Sequence, residues 1–417
     1  MNWLVPRSEL THSQLSIIEI GVQKHLLVLG PPGSGKTMVL VHRAQYLIEN
    51  YGFVPDSFRI FVFTNVLKDY IRSAVEFLDI PLENTLTFDD WCRTYYEENI
   101  GRMPFKDRGP DFARMRREVL AHLRKSEAEK QFKFLLIDEG QDLDKNTFAI
   151  ANHISEHVTV FGDDNQQVYE EGIGIEQIRN ILGGNQNVRT VNLLDAFRCS
   201  PYVAQMASRF LGSDEEKAAF LRQHPPVYKG ERQKPLLNIA KDREDEKEQL
   251  CRNIQVRVGL NEKIAILFPT RRYVYGYAQG LREKGLEVEV PAQRSSRSNN
   301  EYLTIDFNTP RPKAMPYPSA KGLTFDTVFL PLFSRDRFRF IWSDELLRKW
   351  IFVGISRTVK WVYISSIRDE VMFFDELRQL EYEDQLSVRR HWFDEEEEDN
   401  KNPSSSVKSS SDLDDLL

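Results

Sequence analysis

Residues Gly30-Pro31-Pro32-Gly33-Ser34-Gly35-Lys36-Thr37 place a lysine and a hydroxyl at the end of a glycine-rich turn, in the spacing G-x-x-x-x-G-K-T. Such a turn aims successive backbone N–H groups into one concavity and opens at a helix N-terminus, which together favour a phosphate chain. Lys36 then reaches the β- and γ-phosphates, and the Thr37 hydroxyl offers a ligand to Mg²⁺. Hydrolysis of a nucleoside triphosphate further needs a metal-holding carboxylate, a group that activates water, and cations for charge developing on the γ-phosphate. Asp138 and Glu139 follow an apolar run, so Asp138 is the expected metal carboxylate and Glu139 the residue that polarises water. Gln166 follows the next such run and is placed to sense the γ-phosphate. Arg198 and Arg357 lie in the second half, where an arginine reaching across a cleft acts as a finger worth ~10³ to 10⁵ in rate.

These groups need elements to hold them. His25 to Leu29 predicts a strand before the loop, and Met38 to Ile48 a helix after it. A strand is expected near Arg59 to Phe63, a helix near Val66 to Phe77, and a loop through Thr87 to Trp91. Between Asp111 and Lys130, Phe112, Met115, Val119, Leu120 and Leu123 form one apolar stripe, the mark of a packing helix. Phe132 to Ile137 and Val158 to Phe161 are continuous apolar strands, each followed by polar residues. That pattern indicates a doubly wound parallel sheet with its site on the C-terminal edge. Further strands are expected near Leu236 to Ile239, Ile264 to Phe268, Leu286 to Val290, Val328 to Leu332 and Trp361 to Ser365, implying a second α/β domain. Arg294 to Asn300 and Thr309 to Pro318 read as loops.

The 417 residues suffice for two domains, and their 41% hydrophobic and 29% charged content is that of a globular protein. No apolar run approaches the ~20 residues of a membrane span, and Met1 to Glu9 has no signal core. Cys92, Cys199 and Cys251 are scattered, so neither a disulfide framework nor a metal cage is expected, and the cytoplasm is the expected home. Residues 394–417 hold nine acids and two lysines and account for the whole net charge of −7; the remainder balances at 54 against 54. That acidic, serine-rich tail is expected to be disordered. It reads either as a solvated tail or as a linear motif with Leu413, Leu416 and Leu417 as anchors.

Several segments resemble, in order, the motifs of superfamily 1 helicases, most closely the UvrD, Rep and PcrA group. Leu10-Thr11-His12-Ser13-Gln14 is similar to the adenine-reading Q motif, and Phe63-Thr64-Asn65 to motif Ia. Asp138-Glu139-Gly140-Gln141-Asp142 and Gly162-Asp163-Asp164-Asn165-Gln166 resemble the second and third motifs. Ala196-Phe197-Arg198-Cys199-Ser200, Ser319-Ala320-Lys321-Gly322-Leu323 and Val353-Gly354-Ile355-Ser356-Arg357 resemble the remaining three. The resemblance implies two RecA-like domains, at 1–195 and 196–393, ahead of the 394–417 tail. The first would carry a small helical insert at about 89–131. ATP with Mg²⁺ would sit between the domains, and single-stranded DNA across their tops, moved 3′ to 5′. Gln14 would read adenine, Phe197 would stack on it, and Gly322 would approach the nucleotide. Lys36, Thr37, Asp138 and Glu139 would run hydrolysis; Gln166, Arg198 and Arg357 would couple the γ-phosphate to domain closure. Phe63, Thr64, Asn65 and Thr87 would meet the strand. A base stacked on Phe63 is worth about 1 to 3 kcal/mol, although a strand end suits a core aromatic equally well.

The departures bear on function. Thr87-Phe88-Asp89-Asp90 stands where the family has Thr-Phe-His-Ser, Glu170-Glu171-Gly172 where it has an aromatic and an arginine, and Thr324 where it has a glutamate. Acids beside phosphates oppose binding. The family's large inserts are much reduced. Two functions follow: an ATP-dependent motor on single-stranded DNA, or an ATPase switch subunit that gates a protein partner such as a nuclease.

Overall fold

A computed structural model describes residues 3–106, 109–126, 129–163, 172–193, 199–223, 233–292, 303–368 and 370–391. Strands β1 (His25–Leu29), β2 (Phe58–Val62) and β3 (Thr85–Thr87) are followed by a small antiparallel hairpin, β4 (Phe105–Lys106) and β5 (Gly109–Pro110). Then come β6 (Phe132–Ile137), β7 (Ser155–Gly162) and β8 (Val188–Asn192). Apart from the hairpin they form one six-stranded sheet in the order β3-β2-β6-β7-β1-β8, parallel at every pairing. Helices cover both faces, so the strands read as apolar runs rather than alternations. The register puts Leu29 opposite Gly162, and the Gly30 N–H donates to the Gly162 carbonyl at 3.2 Å. The C-terminal ends of β1, β6 and β7 therefore lie side by side, where an open parallel sheet places its ligand.

A second sheet holds β9 (Leu236–Ala240), β10 (Ile264–Phe268), β11 (Glu289–Val290), β12 (Leu303–Thr304), β13 (Lys313–Pro316), β14 (Phe325–Leu330), β15 (Thr358–Ile367) and β16 (Ser387–Arg390). Its order is β12-β11-β13-β10-β14-β15-β9-β16, again parallel throughout. Two parallel-sheet α/β domains are thus present, as expected. No described helix is long and apolar enough to cross a membrane.

Three local expectations fail for identifiable reasons. The loop expected from Thr87 to Trp91 is the start of a helix at Phe88. Thr87 accepts a hydrogen bond from the Asp90 N–H at 3.1 Å, and Asp89 and Asp90 complement the positive helix end. The proline-rich loop from Thr309 contains β13, whose proline sits at the strand's last position. Of the strand expected from Leu286, only Glu289 and Val290 pair, because the Leu286 N–H closes the preceding helix on the Leu281 carbonyl at 2.9 Å.

Helices α1 (His12–Ile18), α2 (Lys36–Tyr51) and α3 (Asn65–Val75) carry most of the site. A capping box opens α1: the Gln14 N–H donates to Thr11 Oγ1 at 3.3 Å, and the Thr11 N–H donates to Gln14 Oε1 at 3.0 Å. In α3, Thr64 caps the first turn by accepting from the Leu67 N–H at 3.1 Å, and Val66, Leu67, Tyr70, Ile71 and Ala74 make the buried face. The largest apolar cluster does not stop at the first sheet. It runs from Leu10, Leu40, Leu67 and Tyr70 into Ala320, Leu323, Phe325 and Leu330 of the second domain.

Beneath α2 lies a buried cation. Arg43, 0% exposed, donates to the carbonyls of Ile17, Ile18 and Ile20, to Thr159 Oγ1 at 3.1 Å and to His157 Nε2 at 3.2 Å. Burial, then Arg43, hold His157 down at about 3, so its imidazole stays neutral. A histidine that is easier to protonate unfolded than folded favours folding only while neutral. The stability it confers is present above its unfolded value near 6.5 and drains away as pH falls toward 3, on the order of 1.4 kcal/mol per unit. His157→Gln should therefore flatten the acid limb: the difference in urea midpoint between pH 7 and pH 4.5 should be smaller than in the wild type. Parallel limbs would rule the assignment out.

Candidate nucleotide site and nucleic-acid cleft

The phosphate loop leaves β1 at Gly30 and enters α2 through Gly35, whose φ of 85° is a left-handed value that a side chain would resist. Lys36 spans the turn, its Nζ donating to the Gly30 and Pro31 carbonyls at 2.6 and 3.0 Å. Opposite, at the end of β6, Asp138 Oδ2 accepts from the Thr37 hydroxyl at 2.8 Å. Burial and the adjacent Glu139 push the Asp138 carboxyl up to about 7, against the Thr37 hydrogen bond and Lys36. A buried carboxylate so poorly compensated, beside a hydroxyl, fits a divalent cation. No three described His, Cys, Asp or Glu side chains cluster to hold a metal by themselves. Thr37 and Asp138 would therefore hold Mg²⁺ jointly with phosphate oxygens, the usual arrangement for this ion. Bound there, the ion would neutralise charge on the β- and γ-phosphates.

Glu139 is held in the left-handed region, φ 52° and ψ 43°, a conformation that costs a non-glycine residue about 1 to 3 kcal/mol and recurs at functional sites. The bend turns its carboxylate toward Gln141, whose Nε2 donates to Glu139 Oε2 at 2.6 Å. Gln141 Oε1 in turn accepts from the Asp163 N–H at 3.1 Å, tying the end of β6 to the end of β7. Burial opposes ionisation of Glu139, but Lys321, Lys36, Arg357 and the Gln141 hydrogen bond outweigh it and hold the carboxyl below its ordinary value. It is therefore a carboxylate at neutral pH, as a group that accepts a proton from water must be.

The second domain completes the wall. Lys321, 2% exposed, places Nζ 2.5 Å from Asp142 and 3.8 Å from Glu139. Gly322 has φ 79°, and a Cβ there would lie 2.8 Å from Leu67 of α3, so glycine is needed where the two domains meet. Arg357 lines the same cavity, its Nε on the Val353 carbonyl at 3.2 Å. Burial lowers its affinity for a proton while Glu139, Asp163 and Asp138 raise it, so the guanidinium faces the acids across the cleft. The cavity is walled by Lys36, Thr37 and Glu139 on one side and Gly322, Thr324 and Arg357 on the other.

Gln14 lies beside the phosphate loop. It is buried, and besides the Thr11 contact its Nε2 donates to the Ser34 carbonyl at 3.2 Å, so its amide braces the phosphate loop. Gln166, Phe197 and Arg198 lie outside the described residues, as do Tyr169 to Glu171, the 294–300 loop and the acidic tail. Sequence reasoning missed Gln141, Asp142, Lys321 and Trp3. The first two follow Glu139 in a 3₁₀ turn, a spacing that returns side chains to the strand end. Lys321 lies in the 319–323 motif, beside Gly322, and was given no role there; Trp3 carries no local signal.

A second, open cleft runs between the domains. Phe63, Thr64, Asn65 and Thr87, all expected to meet a strand, line it together with Lys68, Arg93, Arg271 and Ser319. Phe63 is half-buried and also packs against the smaller apolar cluster of the first domain, so it serves core and cleft at once. The two acids that depart from the family pattern are engaged within the protein. Arg116 Nη1 donates to Asp89 at 2.6 Å, while Lys68 and Arg93 pair with Asp90 at 3.5 and 3.2 Å.

The fold and the site define a P-loop nucleotide-binding protein of two parallel-sheet α/β domains. Residues 14–171 match the profile of a family described as an AAA domain. Among curated proteins no sequence match is found. Among solved structures, the C-terminal domain of a possible DNA helicase from Lactobacillus plantarum WCFS1 is similar over 47% of this chain and 99% of that one, at 12% identity and a TM-score of 0.34.

Proposed function

We propose that the chain hydrolyses ATP with Mg²⁺ and converts the cycle into movement along single-stranded DNA, as a UvrD-type translocase or helicase running 3′ to 5′. The supporting observation is that a single cavity takes Lys36, Thr37 and Glu139 from one domain and Gly322, Thr324 and Arg357 from the other. A γ-phosphate held by both sides favours the closed arrangement and its loss releases it, so hydrolysis changes the relative position of the two domains. The open cleft spans the same two domains, with Phe63, Thr64 and Asn65 facing Arg271 and Ser319, so a strand lying in it would be gripped alternately. Pairing of Asp89 and Asp90 with Arg116, Lys68 and Arg93 reduces the repulsion that their sequence suggests. The free cysteines Cys92, Cys199 and Cys251 fit a reducing compartment, and the protein would act in the cytoplasm.

Steady-state ATP hydrolysis with and without single-stranded DNA, with Lys36→Ala as the blank, tests the reading. The rate should rise at least tenfold with DNA at low salt and the stimulation should fade as salt increases. A rate indifferent to DNA and RNA would favour the other reading, a switch subunit gating a partner such as a nuclease. What supports that second reading is that three carboxylates, those of Asp69, Asp89 and Asp90, line the cleft.

A further inference from the structure

The phosphate cavity is polar, yet one end of it is aromatic. Trp3, ahead of α1, lines it together with Met38 of α2 and Tyr70 of α3. The indole is fixed in place: its Nε1 donates to the Tyr70 carbonyl at 3.1 Å and to Ser73 Oγ at 3.2 Å, and its ring stacks on Tyr70 at 4.3 Å and 14°. The segment behind it is tied down where the Val5 carbonyl meets His42 Nε2 at 2.9 Å. Trp3, Tyr70 and Thr324 also border an adjoining compartment. Phe307 of the second domain lines that compartment and packs edge-on against Tyr70 at 5.0 Å. A nucleoside triphosphate has the same division, an anionic chain at one end and a flat aromatic base at the other. Gln14, the expected reader of the base, has both ends of its amide engaged, on Thr11 and Ser34.

We propose that Trp3, backed by Tyr70, is the platform on which the purine base of the bound nucleotide stacks, with Phe307 carrying that contact to the second domain. The proposal rests on the reading that the phosphates sit in the 30–37 loop. A stacked base is worth about 1 to 3 kcal/mol, which is roughly a 5- to 150-fold change in affinity. Inorganic tripolyphosphate has no base to stack, so it separates the two ends of the site.

The test measures equilibrium binding of ATP and of tripolyphosphate, both with Mg²⁺, to the full chain carrying Trp3→Ala, Trp3→Phe or Lys36→Ala, alongside thermal unfolding of each. Trp3→Ala should weaken ATP at least fivefold and leave tripolyphosphate within twofold, while Trp3→Phe, which keeps an aromatic face, should recover most of the loss. Lys36→Ala should weaken both ligands. Unchanged ATP affinity in Trp3→Ala, or a parallel loss of tripolyphosphate, would overturn the platform while leaving the phosphate reading intact. Unchanged affinity of both ligands in Lys36→Ala would overturn the phosphate reading itself.

Discussion

Glu139→Gln should slow ATP turnover by about 10² to 10⁴, the usual range for removing a positioned general base, while nucleotide affinity changes only a few fold. The substituted amide would keep the size of the side chain and one oxygen for the Gln141 contact, now at 2.6 Å, but could not take a proton from water. The surroundings sharpen the contrast. Glu139 is 4% exposed, sits in a left-handed bend and is kept ionised by Lys321, Lys36 and Arg357, an arrangement that a merely structural acid does not require. Single-turnover hydrolysis beside equilibrium ATP binding makes the measurement. A loss smaller than about tenfold would mean that water is activated elsewhere.

The second large effect concerns Lys321. Its ammonium is 2% exposed and comes from the second domain, yet its partners, Asp142 and Glu139, belong to the first. Removing one member of a buried ion pair leaves an uncompensated charge, typically at a cost of about 3–5 kcal/mol, on the order of what a domain has to spare. Lys321→Met should therefore lower the unfolding midpoint by many degrees. Lys321→Met with Asp142→Asn should recover much of the loss, because the orphaned carboxylate is then gone. A functional signature should accompany the destabilisation. Without Lys321 the Glu139 carboxyl moves upward, so the acid limb of the ATPase pH profile should shift to higher pH. An unchanged midpoint and an unmoved limb would together show that the contact contributes nothing.

The site was legible in the sequence to the extent that its chemistry is contiguous. The phosphate loop declares itself because glycine, lysine and threonine must occupy fixed places in one turn, and Asp138 and Glu139 because an apolar run leads into them. The central strands of both sheets were legible for the same reason, since strands buried on two faces are written as unbroken apolar runs, whereas β3, β8, β12, β13 and β16 carry no such run and were not foreseen. What escaped depends on partners distant in the chain. Asp89 and Asp90 read as repulsive to phosphate, but Arg116, which pairs with Asp89, lies on the helix Phe112–Lys125, whose apolar stripe alone attracted notice. Gln14, which the resemblance gives to the base, also braces the phosphate loop through Ser34, a contact that no local pattern announces. Thr87 was recoverable: a threonine with acids two and three residues on is a helix-start signal, and a loop was expected where that signal stands.

The continuity of the apolar cluster across the two domains gives their motion a thermal character. Leu67 meets Gly322, Tyr70 meets Phe307, and the cluster continues through Leu323 and Phe325. Any separation of the domains that parts these contacts wets hydrocarbon, and wetting hydrocarbon raises the heat capacity. The open form should accordingly gain ground on cooling, as apolar association weakens, so that temperature biases the cycle independently of nucleotide.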